Sequence, residues 1–369
     1  MDFTVPQKQE TRFMYVLPFT KTDALIEYTL FSEKLLDKSE YESAIRYYLK
    51  EKNINDYELV EVEQGSIPMC SYPFWKHNTK NVHFIGSATA GIDHMDTDYL
   101  NKKNIKWFYA AGCNGLSVSN YVMSSICFLM ENNIFNSDNS VGIIGYGNVG
   151  KQLKKALDYF SIKNFVYDPF LHFDFLSNLE LVKNCDLISL HVPLTSKTEF
   201  PTNNMINKGF LEDIKGKTLI NTSRGGVVDE KKLIHENNIN YISDVWVGEP
   251  SPSNDIVDFA LLATPHVAGH SINGKINGTI MLINFLQRCI NLEDRVKILN
   301  IKTMDNFMSS NNHLEIEADH QIEKYEKEYD IKLESDKFKK TYLNSKINEK
   351  KDTFVTARSN HLIRQDIKI

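Results

Sequence analysis

Residues 141–168 read VGIIGYGNVGKQLKKALDYFSIKNFVYD, and the fold follows from them. VGIIG (141–145) is a short branched run closed by glycine, the pattern of a strand buried in a parallel sheet. Over 148–160, Val149, Leu153, Ala156, Leu157 and Phe160 share one side at helical spacing, which predicts an amphipathic helix. FVYD (165–168) is the next strand. Between the first strand and the helix lies Gly145-Tyr146-Gly147-Asn148-Val149-Gly150, a G-x-G-x-x-G turn. Gly145 permits the tight turn, Gly147 lets backbone approach a pyrophosphate, and Gly150 lets helix and strand pack closely. The helix start presents unpaired N–H groups and a positive dipole end to that anion. Asp168, 18 residues past Gly150, ends the second strand. A carboxylate there accepts hydrogen bonds from both ribose hydroxyls and repels a 2′-phosphate, which points to NAD rather than NADP.

The alternation continues outward. LELVKNC (179–185) reads as helix, and DLISLHV (186–192), TLINTS (218–223) and YISDVWV (241–247) read as strands. The expected fold class is therefore α/β, a doubly wound parallel sheet of Rossmann type. Leu116 to Met130 is the most apolar long stretch, but Ser117, Ser119, Asn120, Ser124 and Ser125 interrupt it. It also falls short of the ~20 residues that span a bilayer, so it reads as a buried helix and no membrane association is expected.

Composition narrows the function. The chain has 369 residues, 42% hydrophobic and 24% charged, which suits two or three globular domains. A net charge of −6 supplies no electrostatic case for nucleic acid. Five cysteines without a C-x-x-C pair suggest neither a disulfide framework nor a thiolate zinc site. The opening MDFTVPQKQE carries no apolar signal-peptide core, so a cytoplasmic location is expected.

Three downstream segments place polar residues at the carboxyl ends of strands, where open α/β sheets bind ligands. They are NTSRGGVVD (221–229), DVWVGEP (244–250) and TPHVAGH (264–270). Arg224, Glu249 and His266 are one arginine, one glutamate and one histidine, the set that interconversion of a 2-hydroxy acid and a 2-keto acid needs. Histidine takes the hydroxyl proton as hydride leaves the carbinol carbon. A neighbouring carboxylate stabilises imidazolium and orients the ring. The permanently charged arginine fork holds the substrate carboxylate. Other clusters read blandly. Asp93-His94-Met95-Asp96 suits a helix start where Asp caps N–H groups, His266 and His270 lack a helical zinc frame, and His191 reads as structural or cofactor-adjacent. No metal is expected.

These strings resemble the D-isomer-specific 2-hydroxyacid dehydrogenases over about 83–285. The matching pieces are GSATAGIDHMD (86–96), GYGNVG (145–150), HVPLT (191–195), NTSRGGVVDE (221–230), DVWVGEP and TPHVAGH. The resemblance implies that Arg224 binds carboxylate and carbonyl, that Glu249 supports the histidine, and that His266 is the acid/base. It implies cofactor contacts at Gly145, Gly147, Asn148, Val149, Gly150, Asp168, Val192, Thr222, Ser223, Asp244 and Gly269, with Asp244 on the nicotinamide amide. Within that family the chain is most similar to the erythronate-4-phosphate dehydrogenases. The carriers are the SATAG loop with Thr89, AAGCN (110–114), Asp168-Pro169, AGHSINGKINGT (268–279) and the tail pieces EYDIKLESDKFKK (328–340) and RSNHLIRQDI (358–367). That similarity implies substrate contacts at Thr89 and His270, a small phosphorylated 2-hydroxy acid as substrate, and a homodimer built on a C-terminal α+β dimerisation domain. His270 departs from the subfamily, which usually has a substrate-contacting tyrosine there.

The amino-terminal part does not fit. No Arg-Ser string of the kind that holds the substrate anion in that subfamily occurs before Asn81. RFMYVLPFTKTDALIEYTLFSEKLL (12–36), EQGSIPM (63–69) and YPFWKHNTKNV (72–82) instead resemble the C-terminal half of lycopene cyclase, without that family's FAD-binding unit. Either two families join near residues 82–86, or this is a diverged dehydrogenase lobe with strands around a helix over 40–52. The expected layout is a cyclase-like segment over 1–82, a remnant of substrate lobe over 83–110, an NAD-binding domain over 111–265, a return to the substrate lobe over 266–290 and the dimerisation domain over 291–369.

Overall fold

A computed structural model describes residues 5–6, 11–18, 24–31, 36–58, 82, 84–289, 314–315 and 322–369. The strings at 63–69 and 72–81 and much of 291–321 lie outside the described residues. The chain divides into two compact units, Met1–Asn81 and Val82–Ile369.

In the first unit, β1 (Thr11–Pro18) and β2 (Ala24–Phe31) form an antiparallel pair in which Thr11 faces Phe31 and Pro18 faces Ala24. Helix α1 (Lys38–Glu51) follows. The period-two pattern turns Ile26 and Tyr28 to one side. There they meet Val5, Met14, Ile45 and Tyr48 in a small core.

The second unit opens with the parallel strands β3 (Phe84–Ser87) and β4 (Lys106–Tyr109), joined through α2 (Thr97–Lys102). Helix α3 (Gly115–Glu131) is buried from Ser117 to Leu129, which explains why its polar residues are small. Ser124 and Ser125 return their hydroxyls to the helix carbonyls of Asn120 and Tyr121. Among the described residues, no helix is long and apolar enough to cross a membrane.

Then come β5 (Val141–Ile144), α4 (Asn148–Tyr159), β6 (Asn164–Tyr167), α5 (Leu179–Lys183), β7 (Leu187–Leu190), α6 (Lys208–Asp213), β8 (Thr218–Asn221), α7 (Glu230–Glu236), β9 (Asn240–Ser243), α8 (Asn254–Phe259) and β10 (Leu262–Ala263). These strands form one parallel sheet in the order β10-β9-β8-β7-β5-β6. The chain starts at β5, steps out to β6, and returns to run the other way through β7, a doubly wound topology whose reversal lies beside β5. β5, β7 and β8 are buried along their whole length, as their unbroken apolar runs anticipate.

Helix α9 (Ile272–Cys289) comes back to the first strand pair, where Phe285 stacks on Phe108 with ring centroids 4.5 Å apart and packs against Phe84. The tail adds β11 (Leu314–Glu315), α10 (Lys324–Glu328), α11 (Ile331–Asn344), α12 (Lys350–Ser359) and β12 (Ile367–Lys368), with β11 and β12 parallel. Its aromatic residues are not left outside. Phe338, Tyr342 and Phe354 are buried with Tyr241 and Trp246 in one of the two cores of the sheet domain. Tyr342 donates its hydroxyl to Pro252 O at 2.8 Å, and Ser335 accepts from Ala263 N at 2.9 Å.

Candidate active site

The carboxyl ends of the parallel strands point one way, so Gly145, Val192, Thr222–Arg224, Asp244 and Thr264–His266 gather along one edge of the sheet. At the first of these the glycines divide their work. Gly145 lies at φ +98°, and a Cβ there would strike the His191 carbonyl and reach within 3.0 Å of Val192 Cγ1. A Cβ on Gly150 would strike the Gly145 carbonyl, so this glycine is needed for the helix to lie on the strand. At Gly147 no protein atom lies within 4 Å of where a Cβ would be. That face is open, as a pyrophosphate cradle requires. Asn148 packs its amide against Gly112, and Val149 packs on the first core of the sheet domain. Asp168 is fixed beside the turn, since its Oδ2 accepts from Tyr146 N at 2.9 Å and its Oδ1 from Phe170 N at 3.0 Å. Each oxygen keeps a lone pair for a ribose hydroxyl. The residues present therefore fit a dinucleotide.

His266 Nδ1 lies 2.7 Å from Glu249 Oε2, while Glu249 Oε1 accepts from Trp246 N at 2.8 Å. Both side chains are partly exposed, at 32% and 23%, so the ring is oriented yet reachable. His266 sits at φ +61°, a left-handed conformation that is unfavourable for a residue with a side chain. Its neighbours hold it there. Asp244, fully buried, accepts from Thr264 Oγ1 (2.6 Å), Val267 N (2.7 Å) and Ala268 N (2.8 Å). Burial raises the Asp244 pKa, while the nearby His266 and these donors pull it back. The family resemblance implies that Asp244 meets the nicotinamide amide. The structure adds a second task, pinning the turn that carries the histidine. Arg364, from the tail, donates to the carbonyls of Val267 and Ala268 on the same turn. A Cβ on Gly269 would strike the Asn114 amide, so the turn also sits tightly on the start of α3.

Arg224 projects from the loop after β8. Its Nε donates to Asp93 Oδ2 at 2.9 Å and its NH1 to the Ser223 carbonyl at 2.8 Å. A Cβ on Gly91 would strike its NH2, so the SATAG loop lies against the guanidinium. In that loop Thr89 donates to Gly91 O at 2.8 Å and meets Ser87 Oγ at 2.6 Å. Gly225 lets the Arg224 loop press on the Trp246 carbonyl, where a Cβ would not fit. The arginine loop and the loop that bears Glu249 are thus in contact through 225 and 246. Ser223 is held by Asn221 Oδ1, and Thr222 Oγ1 lies 3.4 Å from His191 Nδ1. His191 also meets Ser189 Oγ at 2.9 Å, and burial pushes its pKa down to about 3, so it stays a neutral ring. His270 is half-buried beside His361 of the tail, with ring centroids 5.1 Å apart.

Three contributors escaped the sequence reading. Asp93 serves Arg224, whereas the helix cap is made by Asp96, which accepts from Tyr99 N at 3.0 Å. Glu230 accepts from Val247 N at 2.9 Å and steadies the loop that bears Glu249. Arg364 clamps the histidine turn. All three lie in strings that carry the family resemblance, Asp93 in GSATAGIDHMD, Glu230 in NTSRGGVVDE and Arg364 in RSNHLIRQDI, but none of those strings names the partner.

Known proteins share parts of this sequence and its fold. Residues 131–268 match the model of the D-isomer specific 2-hydroxyacid dehydrogenase, NAD binding domain, and residues 1–105 match that of the lycopene cyclase protein family. The second match runs past the seam expected at 82–86 to residue 105. An erythronate-4-phosphate dehydrogenase of Wigglesworthia glossinidia brevipalpis is 42% identical over 216 residues, 56% of this chain and 57% of that protein. One from Shewanella baltica is 33% identical over 302 residues, 77% of each. The chain spans 57% of the length of the first two curated relatives it matches. Among solved structures, the holo form of Rhodotorula graminis D-mandelate dehydrogenase superposes with a TM-score of 0.51 at 18% identity, covering 67% of this chain and 84% of that one, which shows the shared fold.

Proposed function

This chain belongs to the D-isomer-specific 2-hydroxyacid dehydrogenases, on the erythronate-4-phosphate dehydrogenase side of that family, and from that premise we propose that it oxidises 4-phospho-D-erythronate to its 2-oxo acid. The observation that carries the reading is the 2.7 Å bond between His266 and Glu249 beside the Arg224 loop. With Nδ1–H donating to the carboxylate, Nε2 is the basic nitrogen and takes the hydroxyl proton; Glu249 then stabilises the imidazolium. Arg224 has Nε and NH1 engaged by protein, leaving NH2 for the substrate carboxylate. Gly145–Gly150 and Asp168 would hold the dinucleotide, with Val192, Thr222, Ser223, Asp244 and Gly269 along the remainder of its path. Bound there, NAD supplies the hydride acceptor. Thr89 and His270 would contact the substrate. A place in pyridoxal phosphate biosynthesis, a cytoplasmic location and a homodimer belong to the same proposal.

A second reading has its own support. Residues 1–105 match lycopene cyclase, and the dehydrogenase resemblance begins only at about 83, so most of the substrate lobe that would close the cleft and exclude water is not recognisable in the sequence. On that reading the chain binds NAD without turnover. The deciding assay follows NADH formation from 4-phospho-D-erythronate by the full chain, by Arg224→Ala, and by a chain given a dehydrogenase-type first lobe. NADH formed by the full chain and lost in Arg224→Ala supports the dehydrogenase. Activity gained only with the new lobe supports the second reading, and a folded chain with no NAD affinity overturns both.

A further inference from the structure

The peptide group that joins Val267 to Ala268, directly after His266, is held at its two ends by opposite charges. Its carbonyl accepts from Arg364 NH2 at 3.1 Å, and its N–H donates to Asp244 Oδ2 at 2.8 Å. The same arginine nitrogen also donates to the Ala268 carbonyl, and Asp244 Oδ1 also accepts from Val267 N at 2.7 Å. A guanidinium of the tail and a carboxylate of the sheet domain therefore pair through the backbone of the histidine turn. An amide with a cation on its oxygen and an anion on its N–H is polarised, so each bond strengthens the other.

Arg364 is 2% exposed, and its Nε and NH1 have no hydrogen-bond partner among the described residues. The ring of Tyr329 lies 4.2 Å from the guanidinium carbon. Burying a cation whose hydrogen bonds go to carbonyls rather than to a carboxylate costs stability, which argues for a task other than holding the fold together. The segment that carries it is anchored on both sides. Leu362 N donates to Glu334 Oε2 at 2.7 Å, Gln365 N to Glu328 Oε1 at 2.6 Å and Asp366 N to Asn273 Oδ1 at 2.8 Å. The Arg364 carbonyl itself accepts from Ile272 N at 3.0 Å.

His266 needs a clamp of this kind. Its φ of +61° is unfavourable for a residue with a side chain, so the peptides that follow it decide where the ring goes. The ring has to meet Glu249 at 2.7 Å, and a reacting group held loosely loses rate steeply. We propose that Arg364 is a positioning residue of the reaction: through the Val267–Ala268 peptide and Asp244 it holds the His266 ring on Glu249. This rests on the dehydrogenase reading of the site. It makes the tail part of the catalytic machinery, whereas the family resemblance implies only dimerisation for it.

The test compares the full-length wild type with Arg364→Met, which keeps the apolar stem and removes the charge, and with Arg364→Lys, which keeps a cation able to reach one carbonyl. Thermal melts and calorimetric NAD binding establish that each variant is folded. Kinetics with 4-phospho-D-erythronate is one readout. The other is the NMR signal of the His266 Nδ1 proton, identified by its loss in His266→Asn. In Arg364→Met, kcat should fall about tenfold to a hundredfold, because the base is misplaced. KM for the 2-hydroxy acid should stay within about threefold, because the Arg224 loop is untouched. The Nδ1 proton should lose its protection from exchange, and Arg364→Lys should restore part of both. A residue that only stabilises the fold would lower Tm and leave kcat and the Nδ1 signal of the folded chain unchanged. That result overturns the proposal, as does a failure of both variants to fold. If the wild type yields no NADH, the dehydrogenase reading fails, and the Nδ1 proton still decides the role of Arg364.

Discussion

Asp93 Oδ2 lies 2.9 Å from Arg224 Nε, across 131 positions of sequence, and fixes the direction in which the guanidinium presents its free edge. Asp93 is 76% exposed, so the pair adds about 0–1 kcal/mol to stability and serves orientation instead. Asp93→Ala should leave the urea midpoint nearly unchanged and raise KM for the 2-hydroxy acid roughly threefold to tenfold, with NAD affinity intact. Arg224→Lys should do worse, because an ammonium lacks the fork that reaches Asp93, the Ser223 carbonyl and substrate together. Equal KM values for Asp93→Ala and wild type would show that Arg224 needs no such support.

His266 and Glu249 act as a unit, so removing either should damage the same step. His266→Asn is expected to lower kcat by about 10²–10⁴. Glu249→Gln keeps the acceptor for Trp246 N and loses the charge beside the ring, so its kcat should fall less steeply. Calorimetric NAD binding should match wild type in both. A loss of NAD affinity parallel to kcat would place the pair in cofactor binding rather than proton transfer.

The glycines of the turn separate folding from binding. Gly147→Ala meets no protein atom within 4 Å, so its Tm should match wild type while NAD affinity falls at least tenfold. Gly150→Ala drives a methyl into the Gly145 carbonyl and should unfold at lower temperature. Thermal melts with and without NAD check both. Undiminished NAD affinity in Gly147→Ala would mean that the open face is not the cradle.

Glu230 gives the fold a pH dependence. Burial pushes its carboxyl from 4.5 up to about 7, so the folded chain holds a proton that the unfolded chain releases. That contribution is fully present below about pH 4.5 and is lost as pH rises through about 7, at most on the order of 3 kcal/mol. Wild type should therefore lose stability to urea between pH 5 and pH 8. Glu230→Gln should lose less over the same interval, and parallel losses would assign the titration to another group.

Much of the sheet domain was readable because its signals are local. The glycine turn, the helix at Asn148–Tyr159 and Asp168 fall within 28 residues and agree with the structure to within a residue or two. The His266–Glu249 pair could be anticipated because both sit on loops after neighbouring strands. What stayed hidden depends on distance along the chain. Nothing near Asp93 announces Arg224, and nothing near Arg364 announces the carbonyls of 267 and 268. The tail is expected as a dimerisation domain, and its charged sequence does not show that Phe338, Tyr342 and Phe354 are buried in the sheet domain, where α11 lies against α8 and β10.

Helix α3 is completed by residues 366 and 367. Ser117 donates to Asp366 at 2.9 Å, and the Asn120 amide exchanges two hydrogen bonds with the Ile367 backbone. A growing chain on the ribosome therefore makes the dinucleotide fold long before it makes the segment that seals one side of it. Until synthesis reaches residue 367, that helix has an uncovered flank.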